Sequence, residues 1–120
     1  MSDYHEPASE LTDSDRDLHR ALTSLKEEIE AIDWYHQRVV RCSDASLRSI
    51  LAHNRLEEME HAAMVLEWLR RNMDGWDGML RKYVFAEGPI VDAEEEEGTT
   101  GDSPESLGIG PLRSVGDGGE

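Results

Sequence analysis

The stretch EEMEHAAMVLEW, residues 57–68, places Glu58 and His61 three positions apart among Met, Val and Trp. Residues three apart on a helix share a face, so this carboxylate and imidazole can reach one point. Both donate to divalent cations. Carboxylate oxygens with one imidazole per metal suit Fe(II) or Mn(II), while the absence of thiolates argues against a structural zinc site. A second carboxylate, Glu28 in KEEIEAI, also stands where an apolar residue belongs. Burying a lone ionised carboxylate is costly unless it is paired or bound to a metal. Something must compensate these three residues, and the chain around them indicates what positions them.

Steps of three and four from Leu18 pick out Leu18, Ala21, Leu25, Glu28, Ile32, Tyr35 and Val39, a heptad-like seam on one long helix. A start near Thr12 is predicted by Asp15 three residues later, a weak capping-box pattern, and by acids in the first turn. A second seam runs through Leu47, Leu51, Asn54, Glu58, His61, Val65 and Trp68. Ser43 or Asp44 can cap its start, and Arg70 and Arg71 suit its end. The RCSDAS link is short, so the helices must fold back as an antiparallel hairpin. Position 43, the centre of that link, is equidistant from Glu28 and Glu58. The two glutamates therefore stand level, each roughly 22 Å from the bend at the helical rise of about 1.5 Å per residue. A short third helix is expected around Trp76 to Phe85, interrupted by Gly75 and Gly78, and EGP at 87–89 stops regular structure. There is no internal repeat, glycine-rich phosphate loop or nucleophile triad.

Helical bundles that hold two metals between carboxylates use a lone Glu on each of two helices and a Glu-x-x-His on each of the other two. This chain supplies one of each, on two long helices. Two hairpins related by a two-fold axis would complete a four-helix bundle with six ligands, placing the site across the dimer interface. The residues alone leave two other readings open. One is a buried polar layer that sets the register of a helical interaction module. The other is a di-iron or di-manganese oxidase or peroxidase acting on another substrate.

Composition limits the rest. Residues 88–120 have no aromatic residue, eight of the ten glycines, and nine acids against the single base Arg113; this third of the chain carries −8 of the net −15. Such a segment cannot offset its chain entropy by burial, so it reads as disordered. The expected organisation is a disordered N-terminus at 1–11, a helical domain at 12–87 and a disordered acidic linker at 88–105. A helical part of this size has a small core of its own, so oligomerisation or a metal is expected. The negative charge argues against nucleic acid or an anionic membrane as partner, and for cations or a basic surface. No apolar run approaches a transmembrane length, and MSDYHEPASE lacks the features of a signal peptide, which predicts a cytoplasmic protein. The lone Cys42 fits a reducing compartment and reads as incidental.

EEIEAIDWYHQR at 27–38, ILAHNRLEEMEHAAMVLEWLRRN at 50–72 and YVFAEGPI at 83–90 closely resemble the encapsulated ferritins, small two-helix relatives of ferritin. The resemblance implies a ferroxidase centre built by dimerisation, two iron ions per dimer, and a ring-shaped decamer of five dimers. It assigns the centre's ligands to Glu28, Glu58 and His61, the residues the seams select. It puts an outer, metal-attracting site on Glu27 and Glu30, able to take calcium or other divalent ions, and makes Trp34 and Tyr35 aromatics of the site. His53, one turn from Glu57, could join an outer site or be a plain exposed histidine. SLGIGPLRS at 106–114 resembles the peptide that docks cargo inside an encapsulin shell, with Leu107, Ile109 and Leu112 as its apolar contacts and 115–120 as a disordered tail. A flexible acidic tether before it would let the peptide reach its pocket. His36 after DWY and Met59 between the glutamates depart from the family's wording, outside the ligand set.

Overall fold

A computed structural model describes residues 4–94. Every regular element among them is helical: α1 spans Asp13–Arg41, α2 spans Ala45–Asn72 and α3 spans Trp76–Tyr83, preceded by a 3-10 turn at Ala8–Glu10. The chain divides into two compact units, Met1–Leu69 and Arg70–Glu120.

In the first unit, α1 begins where the capping pattern placed it. The Asp15 N–H donates to Thr12 Oγ1 at 3.0 Å and the Thr12 N–H donates to Asp15 Oδ2 at 3.1 Å. Two of the donors that every helix start leaves without a partner are thereby satisfied. The backbone of Thr12 holds the Asp15 carboxyl below its ordinary pKa. Asp44, of the two candidates, caps α2, accepting from the Leu47 N–H at 2.8 Å. Contacts between the helices run in the antiparallel sense: Glu28 meets His61, while His36, nearer the bend, meets Arg55.

Residues 4–11, expected to be disordered, are instead fastened to α1. One Arg16 nitrogen donates to the carbonyls of Ala8 and Leu11, both at 2.6 Å, and the Tyr4 ring stacks on His19 with centroids 4.1 Å apart. Nothing in the residue pattern signals this, because guanidinium-to-carbonyl bonds follow no periodicity.

All seven seam residues of α1 are half-buried, as are Leu51, Asn54, Glu58 and Val65 on α2, while Leu47, His61 and Trp68 are exposed. The one fully buried apolar residue among those described is Leu69. Leu22, Ile29, Ile50, Leu56, Met59 and Met64 all remain exposed. A single hairpin has the amphipathic pattern of a bundle without the layer that would cover it.

The second unit is built around α3. Gly75, at φ +102°, makes the turn that starts it, a conformation open to glycine alone without strain. Gly78 lies within the helix and does not interrupt it. The Asp77 carboxylate accepts from Arg81 Nε at 2.9 and 3.0 Å and from Arg70 Nη1 at 2.5 Å; Arg81 first, then Arg70, lowers its pKa. The helix stops at Tyr83, two residues short of the expected Phe85. Phe85 itself takes φ +65° and is 98 % exposed. Helical backbone resumes at 90–94, inside the segment expected to be a disordered linker from residue 88. No helix of the described residues is long and apolar enough to cross a membrane.

Candidate metal centre

The antiparallel register brings Glu28 on α1 level with Glu58 and His61 on α2, as the midpoint of the turn requires. One donor atom from each of the three lies within 4.8 Å of the others. His61 Nδ1 is 3.4 Å from Glu58 Oε1 and 3.6 Å from Glu28 Oε1. Both separations are longer than a good hydrogen bond, so the imidazole and the carboxylates surround a common point more than they bind one another. The two carboxylates are about three-quarters covered, 25 % exposed for Glu28 and 23 % for Glu58, whereas His61 is 48 % exposed.

The Glu28 carboxyl is raised above its ordinary pKa. The first cause is a hydrogen bond shared with Glu58, followed by partial burial and the repulsion of the Glu58 charge; His61 opposes these more weakly. Two carboxylates this close disfavour each other's ionisation, so Glu28 holds its proton more tightly than a free carboxyl does. A divalent cation at the same point would do the proton's work with twice the charge. Two carboxylates and an imidazole are also a hard, oxygen-dominated donor set that suits Fe(II) or Mn(II), and three donors leave coordination positions open.

The remaining sequence-selected residues are dispersed. Glu27 and Glu30 are exposed on α1 and join no cluster of three donors among the described residues. His53 meets Glu57, Nε2 to Oε2 at 3.2 Å, on the exposed side of α2. Trp34 is 50 % exposed, and the half-buried Tyr35 ring carries the Arg38 guanidinium 5.1 Å from its centroid. Leu107, Ile109 and Leu112 lie outside the described residues.

Two features near the centre were not anticipated. Arg55 Nη1 is 2.8 Å from His36 Nδ1, linking the helices on the bend side of the centre. A guanidinium only donates, so in this contact Nδ1 is the acceptor. The hairpin register alone does not single out this pair, because it sets position 36 level with position 50, and the long Arg55 side chain spans the difference. On the other side of the centre, Asp17, Arg20, Ala21 and Ser24 of α1 and Met64, Val65 and Trp68 of α2 line an open groove of about 520 Å³.

Comparison with known proteins identifies the family. The EncFtn-like family model matches residues 3–87. A Thermotoga maritima protein named "Ferritin-like protein" is 65 % identical over 112 residues, covering 93 % of this chain and 96 % of its own. A Rhodospirillum rubrum "Encapsulated ferritin-like protein" is 50 % identical over 121 residues, covering 91 % and 86 %. The crystal structure of a Nitrosomonas europaea protein superposes with a TM-score of 0.71 at 55 % identity, covering 74 % of this chain and 98 % of that one. Matched over its whole helical hairpin and α3, and at half or more of its residues by full-length relatives, the chain belongs to the EncFtn-like family of encapsulated ferritins.

Proposed function

We propose that this chain is a ferroxidase subunit whose substrate is Fe(II) and whose centre is completed by a second copy of itself. The observation that carries the reading is the convergence of Glu28, Glu58 and His61 at one level of a hairpin that leaves its apolar face uncovered. Two hairpins packed on that face form a ferritin-like four-helix bundle with four carboxylates and two imidazoles, enough for two iron ions per dimer. Two Fe(II) give up two electrons in total and become two Fe(III), reducing dioxygen to hydrogen peroxide, or hydrogen peroxide to water. The cation competes with protons for the Glu28 and Glu58 oxygens, so its binding favours their ionised forms. A carboxylate-rich shell then favours the harder, more charged ferric state. The net charge of −15 concentrates cations around the protein. Glu27 and Glu30 serve as the outer site for iron, calcium or other divalent ions before they reach the centre, and Trp34 and Tyr35 flank the path.

The same reading assigns the larger assembly. Five dimers form a ring-shaped decamer, which encloses no sealed cavity, so mineral accumulates around the protein and not inside it. The name of the Rhodospirillum rubrum relative, "encapsulated", supports residence in an encapsulin lumen within the cytoplasm. SLGIGPLRS at 106–114, with Leu107, Ile109 and Leu112, is the segment assigned to the shell, on a linker that acts as its tether.

Anaerobic loading with Fe(II) followed by oxygen tests the reading, with ferric absorbance and bound iron followed in the whole chain and in Glu58→Ala and Glu58→Gln. Sustained oxidation above an iron-only control is expected, with loss of about one iron per subunit in both variants. Background oxidation in all three proteins would leave the polar layer as a register device in a helical module. Oxidant consumption without turnover of excess Fe(II) would favour an oxidase with another substrate.

A further inference from the structure

Arg55 stands three residues before Glu58 on the same helix, one turn toward the bend. Residues at this spacing lie side by side, so an unheld guanidinium there can pair with the Glu58 carboxylate. Such a pairing would set a fixed positive charge against a centre whose donors must remain available to a dication. In the structure Arg55 does otherwise. Its Nη1 reaches across to α1 and donates to His36 Nδ1 at 2.8 Å. His36 is an unusual acceptor for a guanidinium, because it takes the hydrogen bond without neutralising the charge and only while its ring is neutral.

We infer that His36 is a positioning residue for the metal centre: it holds the Arg55 guanidinium away from Glu58 and so keeps the Glu28–Glu58–His61 set open to a divalent cation. The inference rests on the centre being a cation site, as proposed above. His36 touches neither the cation nor any of the three donors; it acts only through Arg55. The arrangement also makes Arg55 a tunable repulsive charge. Held by His36 it repels an incoming dication from a distance, and released onto Glu58 it competes for the carboxylate directly. Loss of the acceptor is therefore worse for the site than loss of the arginine.

That asymmetry supplies the test. Mn(II), which needs no oxidation to be observed, is titrated into the whole chain at one fixed pH by calorimetry, with free Mn(II) followed by electron paramagnetic resonance. The proteins compared are the wild type, His36→Ala, His36→Gln, Arg55→Gln and the double variant His36→Ala/Arg55→Gln. Fixing the pH keeps proton competition at the donor set the same in every protein compared. His36→Ala is expected to bind Mn(II) about two- to five-fold more weakly, the range for one exposed ion pair. His36→Gln, whose side-chain carbonyl can accept from Arg55, is expected to restore most of the loss. Arg55→Gln should bind at least as tightly as the wild type, and the double variant should match Arg55→Gln. A residue that only helped the helices pack would weaken binding in the double variant as well.

Unchanged affinity in His36→Ala, or weakening in the double variant equal to that in the single one, would overturn the inference while leaving the cation site intact. Absence of stoichiometric Mn(II) binding in the wild type would instead remove the cation site on which it rests. Circular dichroism of each variant establishes that the hairpin is still folded, and Arg55→Gln carries the test independently should His36→Ala fail to fold.

Discussion

The raised pKa of Glu28 gives the metal-free protein a component with an inverted response to pH. Most carboxylates in folded proteins are held below their ordinary pKa and stabilise the fold as pH rises. Glu28 is held above its ordinary value of 4.5, first by its hydrogen bond with Glu58. Its folded form binds the proton more tightly than its unfolded form. The stability it contributes is complete below pH 4.5 and is lost as pH rises through the raised value. In chelator, the melting temperature is therefore expected to carry a component that declines across that window and vanishes in Glu28→Gln. Mn(II) should reverse the slope, because the cation competes with the proton for the same oxygens. An identical slope in Glu28→Gln would assign the effect to other groups. The convergence of Glu28, Glu58 and His61 was legible from sequence because a polar residue in a strict 3,4 seam is conspicuous and the turn fixes which two are level. Arg55 on His36 was not, since both are ordinary surface letters and their meeting depends on side-chain rotamers.

Element boundaries followed local chemistry where that chemistry is encoded in a few adjacent residues. Thr12 and Asp15 are such a case, and their reciprocal bonds fix the start of α1. Thr12→Ala removes the side-chain acceptor and is expected to cost about 1 kcal/mol of stability, measured by chemical denaturation. It should also move Asp15 only part of the way toward its ordinary pKa, because the Thr12 N–H, the larger cause, can still donate, and NMR titration reads the change. Because Asp15 is held low, the stability it gives the wild type is present above the ordinary carboxylate value and is lost as pH falls through the lowered one. An unshifted Asp15 in both proteins would mean that the box does not persist in solution. Gly75 is a second case, read correctly as a break because only glycine tolerates its φ of +102°. Gly75→Ala has open space around the added methyl, so its cost is conformational strain alone, about 1–3 kcal/mol. Denaturation and the loss of helicity from α3 would report it, and a neutral substitution would show that the turn adopts another conformation. Gly78, the same letter three residues on, lies in a helix, which its neighbours and the Asp77–Arg81 pair support. Composition misled most at the ends of the helical domain. The Arg16 bonds that fasten residues 8–11, and the helical backbone at 90–94 in an acidic, Gly-rich context, depend on particular contacts and not on average polarity.

At the scale of the whole molecule, the imbalance is between pattern and coverage. The seams repeat faithfully, yet among the described residues only Leu69 is buried, and fifteen large apolar residues remain exposed. On the hairpin alone, Leu22, Ile29, Ile50, Leu56, Met59 and Met64 are exposed, a surface suited to association whose burial would add stability the lone hairpin lacks. If a second copy covers it, folding and association are linked, and the melting temperature must rise with protein concentration. Each tenfold increase in concentration adds about 1.4 kcal/mol to the free energy per mole of dimer. The same linkage extends to the cation. With ligands drawn from both copies, Mn(II) or Fe(II) should strengthen association, whereas Glu58→Ala should retain only the apolar contribution. Sedimentation and melting across a hundred-fold range of concentration, with and without Mn(II), separate the terms. A concentration-dependent melting temperature that Mn(II) raises in the wild type but not in Glu58→Ala places the centre at the interface. A melting temperature independent of concentration, with Mn(II) still bound, would mean that one hairpin holds the cation alone and that its apolar face serves a different partner.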